Sequence, residues 1–172
     1  GSTIISPYSR WKEELAEIIP NKALSTLSDS DAIELENTSR DVNDRIKKLN
    51  QSCLVLKERL ERKKGISKVM HPQNCKNFNS LLKPRGGYGC LLSFELSGGS
   101  EEAKRVYNSL RVNKGPSLGT NFTLVCPYVQ LAHYSELKWA KSCGVSPYLL
   151  RVSVGLENKD ELWSRFDDVI KK

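Results

Sequence analysis

The sequence predicts an α+β fold: a four-stranded, mainly antiparallel sheet covered on one face by helices and preceded by a long connecting helix. Three observations predict it. Apolar residues recur at helical spacing in several separate segments. Short apolar runs bounded by Gly or Pro stand between those segments. The joining loops are too long and irregular for a uniformly wound parallel sheet.

Each element has its own local reason. Tyr8 to Ile19 reads as a helix with Trp11, Leu15, Ile18 and Ile19 at helical spacing, Ser6 or Ser9 as cap and Pro20-Asn21 as stop. Residues 20–31 are linker-like in composition. From Asp31 to Lys64 a single helix is expected, because Val42, Ile46, Leu49, Cys53, Leu56 and Leu60 recur in steps of three and four before Gly65. At about 45 Å by the standard rise, it would cross between two bodies or lie along a partner. Ile66–Met70 is a short strand closed by Pro72, and Gly87–Leu96 is the strongest strand in the chain. Gly98-Gly99 turns into a helix from Ser100 to Leu110 with Glu101 and Glu102 in its first turn. A loop with Gly115, Pro116 and Gly119 leads to a strand over Asn121–Val125. A helix from Ser135 to Cys143, a strand from Leu149 to Val154 and a helix from Lys159 to Lys171, with Leu162, Phe166, Val169 and Ile170 inside, complete the chain. This reading divides the chain into a leading segment, 1–30, and an α+β domain, 31–172.

The composition bounds the function classes. At 172 residues the chain holds one domain, and 38% hydrophobic content with a mean hydropathy of −0.47 fits a packed, water-soluble body. No run approaches the roughly 18 apolar residues of a membrane span. Gly1-Ser2 reads as a cloning remnant, and Thr3-Ile4-Ile5-Ser6-Pro7 turns polar too early for a signal peptide. Cys53, Cys75, Cys90, Cys126 and Cys143 are odd in number, widely spaced and without a C-x-x-C pair. They are expected to be free thiols in a reducing compartment, the cytoplasm first and the nucleus second, and a metal site is disfavoured. The net charge of +7 raises nucleic acid as a partner. Residues 40–70 carry ten basic side chains against four acidic ones. The apolar stripe in the same stretch explains them as the solvated face of a helix, and no aromatic platform interleaves them.

Few residues invite chemistry. Arg85-Gly86-Gly87-Tyr88-Gly89 contains G-x-G but precedes a strand, so it fails as a dinucleotide fingerprint and reads as a close approach to that strand. No phosphate-binding loop, nucleophile elbow or zinc-protease motif is present. Arg151, within Tyr148-Leu-Leu-Arg-Val-Ser-Val154, stands out. A guanidinium among apolar strand residues needs an anionic answer, and its planar fork suits a carboxylate. Equally, alternation could turn it to solvent or to a local Glu.

The closing stretch Gly144-Val-Ser-Pro-Tyr-Leu-Leu-Arg-Val-Ser-Val-Gly-Leu-Glu157 with Asp160-Glu161-Leu162 resembles the end of the cysteine and methionine metabolism family of pyridoxal-phosphate (PLP) enzymes, the cystathionine synthases and lyases. Glu36–Asp41, Gly87–Phe94 and Ser117-Leu118-Gly119 resemble that family's segments in the same order. Thr120 to Tyr128 looks most like the fungal cystathionine gamma-synthases.

The resemblance implies the C-terminal domain of a fold-type I PLP enzyme that condenses an activated homoserine ester with cysteine. It implies Arg151 as clamp for the substrate α-carboxylate and Ser117 as a loop residue whose backbone helps hold it. Phe122 stands where many relatives have a specificity-setting Glu, so lyase specificity does not carry over. The family's histidine-rich segment is reduced to His133. The resemblance places the PLP lysine in a larger N-terminal domain preceding residues 1–30, so this chain is expected to be inactive by itself and the full-length protein to be a homo-oligomer. The alternative is a non-catalytic interaction domain derived from the same family.

Overall fold

The computed structural model describes residues 4–22 and 27–170 and divides the chain into two compact units, Gly1–Asp41 and Val42–Lys172. The first contains helices α1 (Lys12–Lys22) and α2 (Asp29–Ser39). Pro20 lies inside α1 instead of ending it. The Ser28 hydroxyl caps α2 by accepting from the Asp31 amide, but none of its residues is buried.

The single helix expected over 31–64 is two helices, α2 and then α3 (Val42–Arg62), interrupted at Arg40-Asp41. Polar side chains competing for the backbone explain the break. The Thr38 hydroxyl donates to the Glu34 carbonyl at 2.8 Å and the Ser39 hydroxyl to the Glu36 carbonyl at 2.9 Å, in a stretch of weak helix formers. The apolar stripe is buried only from Leu49 onward, whereas Val42 and Ile46 are 40% and 48% exposed.

The second unit is α+β, but its sheet has five strands and is mixed, a correction to the four expected. They are β1 (Ile66–Met70), β2 (Leu91–Leu96), β3 (Asn113–Lys114), β4 (Leu124–Cys126) and β5 (Leu150–Ser153), in the order β1-β2-β5-β4-β3. All pairings are antiparallel except β3 with β4. Strand β3 is two residues long and cannot show the alternation by which strands are recognised. The strand expected from Gly87 starts only at Leu91, because the glycines before it serve an approach to α3. The Asn50 Oδ1 accepts from the Gly89 amide at 2.5 Å, and a Cβ on Gly87 would lie 2.1 Å from Asn50 Nδ2.

One sheet face carries the main core. Cys53, Leu56 and Leu60 of α3, Ala103 and Val106 of α5 (Gly99–Ser109), and Leu162 and Phe166 of α8 (Lys159–Asp167) meet Leu92 and Phe94 of β2 and Leu150 and Val152 of β5. Burial raises the Cys53 thiol to about 12, so it packs as a small hydrophobe. The opposite face is not bare, which corrects the one-sided helical cover. Val129 of α6 (Tyr128–Ala132) and Ala140 of α7 (Leu137–Ser142) pack with Leu149 and Met70 there. The helix expected over Ser135–Cys143 is present as α7, whereas α6 and α4 (Lys76–Leu81) carry too little periodicity to be assigned from sequence. Helix α8 stops at Asp167, though Ile170 remains buried; Lys171 lies outside the described residues. Among the described residues, no helix is long and apolar enough to cross a membrane.

Candidate functional site

Strand alternation decides where Arg151 points. Leu150 and Val152 enter the main core, so Arg151 and Ser153 project from the other face. Arg151 is paired in register with Ser93 on β2 and with Cys126 on β4, at the centre of the sheet. Arg151 therefore emerges on the face away from the core.

The guanidinium is held on several sides. Its Nη2 donates to the Pro116 carbonyl and, at 3.5 Å, to that of Ser117. Its Cζ stands 5.1 Å from the centre of the Tyr128 ring. The Cys126 thiol is pushed up by burial, and the charge and hydrogen bond of Arg151 oppose that rise without cancelling it. The Arg151 Nε is buried and lacks an acceptor. A cation so fixed, with guanidinium donors beyond the Nη2 that holds the loop, suits an acceptor oxygen of an anionic ligand.

Arg151, Ser93, Met70 and His71 line a cleft of about 430 Å3. His71 is 6% exposed, and its Nδ1 accepts from the Gln73 amide at 3.2 Å. In the neutral ring the proton therefore sits on Nε2, which is buried without a partner. Burial, helped by the Lys57 charge and opposed by Glu61, lowers the His71 pKa below 6.5. Burial raises the Glu61 carboxyl, but hydrogen bonds from Lys57 and Asn74 leave it lowered overall. For both groups the unfolded chain takes up protons before the native one. Stability is thus full above pH 6.5 and falls on acidification, first through His71 and below pH 4.5 also through Glu61. Thermal melts from pH 7.5 to 5 should show a falling midpoint, and His71→Gln should flatten that slope; an unchanged slope would refute the assignment.

The loop after β3 carries the other residues read from sequence. Ser117 is brought to Arg151 through its carbonyl, and its side chain is exposed. Phe122, 47% exposed, lies farther along, where its carbonyl accepts from the Thr120 hydroxyl at 2.6 Å. His133 contacts Glu136 at 2.9 Å and stands edge-on to Tyr128, 5.6 Å between ring centres. Tyr128 thus joins His133 to Arg151. Sequence reasoning missed Tyr128, Cys126 and His71 as neighbours of Arg151; the pairing of β4 with β5 and of β2 with both flanking strands brings them there, and no local motif announces it. Among the described residues, no group of His, Cys, Asp and Glu could hold a metal. No lysine lines the Arg151 cleft, and the buried Lys57 is paired with Glu61 at 3.0 Å.

Comparison with known proteins places these features in a family. The sequence model for the Cys/Met metabolism PLP-dependent enzymes matches residues 1–171. The cystathionine gamma-synthase of Neurospora crassa is 38% identical over 99% of this chain and 28% of its own length. That of Saccharomyces cerevisiae is 42% identical over 83% of this chain and 24% of its own. The chain spans about a quarter of the length of these curated relatives. A crystal structure of cystathionine gamma synthase from Xanthomonas oryzae pv. oryzae in complex with cystathionine superposes with a TM-score of 0.72 at 24% identity, covering 84% of this chain and 38% of that one. That likeness shows a common fold.

Proposed function

Because the chain belongs to the Cys/Met metabolism PLP-dependent enzymes, we propose that it is the substrate-side, C-terminal part of a cystathionine gamma-synthase. The full-length protein replaces the acyloxy group of an activated homoserine ester by the sulfur of cysteine. One Cγ–O bond breaks, one Cγ–S bond forms, and the acid leaves. PLP is held by a part of the longer protein outside these 172 residues, where it supplies the electron sink for this chemistry.

The observation that carries the reading is Arg151, fixed in mid-sheet at the edge of a cleft with a loop folded over its guanidinium. Binding the α-carboxylate there orients the amino acid before any proton moves. Ser117 borders that carboxylate site, and Phe122, in place of an acidic side chain, shapes the choice of substrate. The assembled enzyme is a cytoplasmic homo-oligomer, and these 172 residues by themselves are inactive.

The test compares this chain with the full-length protein for cofactor absorbance and cystathionine formation. Activity in the longer chain alone supports the reading. A longer chain that neither binds PLP nor makes cystathionine would overturn it in favour of a non-catalytic interaction domain.

A further inference from the structure

The loop over Arg151 is fastened residue by residue to the strand that bears the arginine. Arg151 takes the Pro116 and Ser117 carbonyls, and the Ser153 hydroxyl accepts from the Gly119 amide at 3.0 Å. Beyond the strand, the Leu156 amide donates to the Asn121 carbonyl at 2.8 Å. The last fastening is the densest. Glu157 accepts from the Thr123 amide at 2.7 Å through Oε1 and from the Thr123 hydroxyl at 2.8 Å through Oε2. The same hydroxyl accepts from the Gly155 amide at 3.0 Å. Thr123 is fully buried, so each of these donors depends on its partner.

We propose that Glu157 is a positioning residue, which through Thr123 holds the Pro116–Thr123 loop in register with β5 and so sets Ser117 and Phe122 relative to Arg151. This rests on the substrate-side reading above. Two features of the site require a carboxylate with an unencumbered approach. Thr123 presents two donors, the amide and the hydroxyl, and a carboxylate answers both with separate oxygens. A carboxamide has one oxygen and would turn an NH2 toward a donor or displace the hydroxyl proton. Residue 155 must also be glycine. A Cβ there would lie 2.5 Å from Glu157 Oε2 and 2.5 Å and 2.6 Å from the Phe122 C and Cα atoms. The carboxylate, the glycine and the main chain of Phe122 therefore form one close-fitting junction, at the far end of the loop from Arg151.

The test uses full-length protein carrying Glu157→Gln, Thr123→Val, Thr123→Ser or Gly155→Ala, with KM and kcat for the amino-acid substrate, cofactor absorbance and amide hydrogen exchange measured on each. Glu157→Gln should raise KM on the order of tenfold with kcat within about twofold, keep the cofactor absorbance and speed exchange at the Thr123 and Gly119 amides. Thr123→Val and Gly155→Ala should move KM and exchange the same way, and Thr123→Ser, which keeps the hydroxyl, should restore both. An unchanged KM in Glu157→Gln, or exchange rates at Thr123 and Gly119 equal to those of the parent, would overturn the proposal. So would a general loss of stability and cofactor with no split between KM and kcat. If the parent protein proves inactive, the substrate-side reading fails, and the exchange rates alone then decide whether Glu157 holds the loop.

Discussion

Arg151→Ala in the full-length protein is expected, on the proposed substrate-side function, to weaken binding of the amino-acid substrate by about 2 to 5 kcal/mol, the range for truncating one partner of a desolvated charge pair. It should be read as a rise in KM and a fall in kcat/KM. Two contributions act together. An α-carboxylate bound in the cleft would lose the fork-shaped donor of Arg151, and the Pro116–Ser117 end of the loop would lose the guanidinium to which its carbonyls are tied. Arg151→Lys separates them. A lysine restores the charge but not the planar fork, so it should recover little of the loss if two-point recognition dominates. The Cys126 thiol offers an independent check, because removing Arg151 leaves burial unopposed and should raise that thiol further. A KM equal to that of the parent, in a variant with unaltered melting, would remove Arg151 from substrate binding.

Phe166→Ala is expected to cost about 3 to 5 kcal/mol of folding stability, the range for deleting a buried aromatic side chain. The ring is fully buried at the sheet side of α8 and meets Phe94 of β2 edge-on, with 6.3 Å between ring centres and 69° between planes. The same helix is also tied to α3 by Arg59–Asp160 at 2.5 Å and to the residue just after α3 by Lys63–Asp167 at 2.7 Å. Asp160 is largely exposed, so Asp160→Ala should cost less than about 1 kcal/mol. Urea denaturation of both variants decides the ranking. Equal losses would mean that ion pairs, and not the aromatic contact, anchor α8.

The legible and illegible parts of this protein divide along physical lines. The helices that bury a continuous stripe were readable: α5 and α8 lie within a few residues of their expected bounds, and α3 buries Leu49, Cys53, Leu56 and Leu60 as spaced. Strands β1 and β5 were readable because Ile66–Met70 and Leu149–Val154 are short runs in which apolar residues predominate between breakers. The interruption at Arg40-Asp41 was not, since the stripe begins only at Val42 and nothing apolar marks the break, whereas the hydroxyl-to-carbonyl bonds of Thr38 and Ser39 reveal the competing preference. The two-residue β3, the five-residue α6 and the six-residue α4 lie below the length at which a period can be counted, whereas α7 was placed within the helix expected over Ser135–Cys143.

The candidate site shows the same division more sharply. Arg151 could be singled out because a cation inside an apolar run is a local anomaly, and Ser117 and Phe122 because their neighbours resemble a family's loop. Its partners could not be. Cys126 reaches Arg151 by the register of β4 on β5, His71 shares its cleft through β1 and β2, and Glu157 meets Thr123 from 34 positions away. Periodicity and composition act over a few residues, so they specify elements and the face each one buries. Register and loop closure act between residues distant in sequence, so the side on which Arg151 emerges, what surrounds it and what holds its loop were decided only when the strands came together.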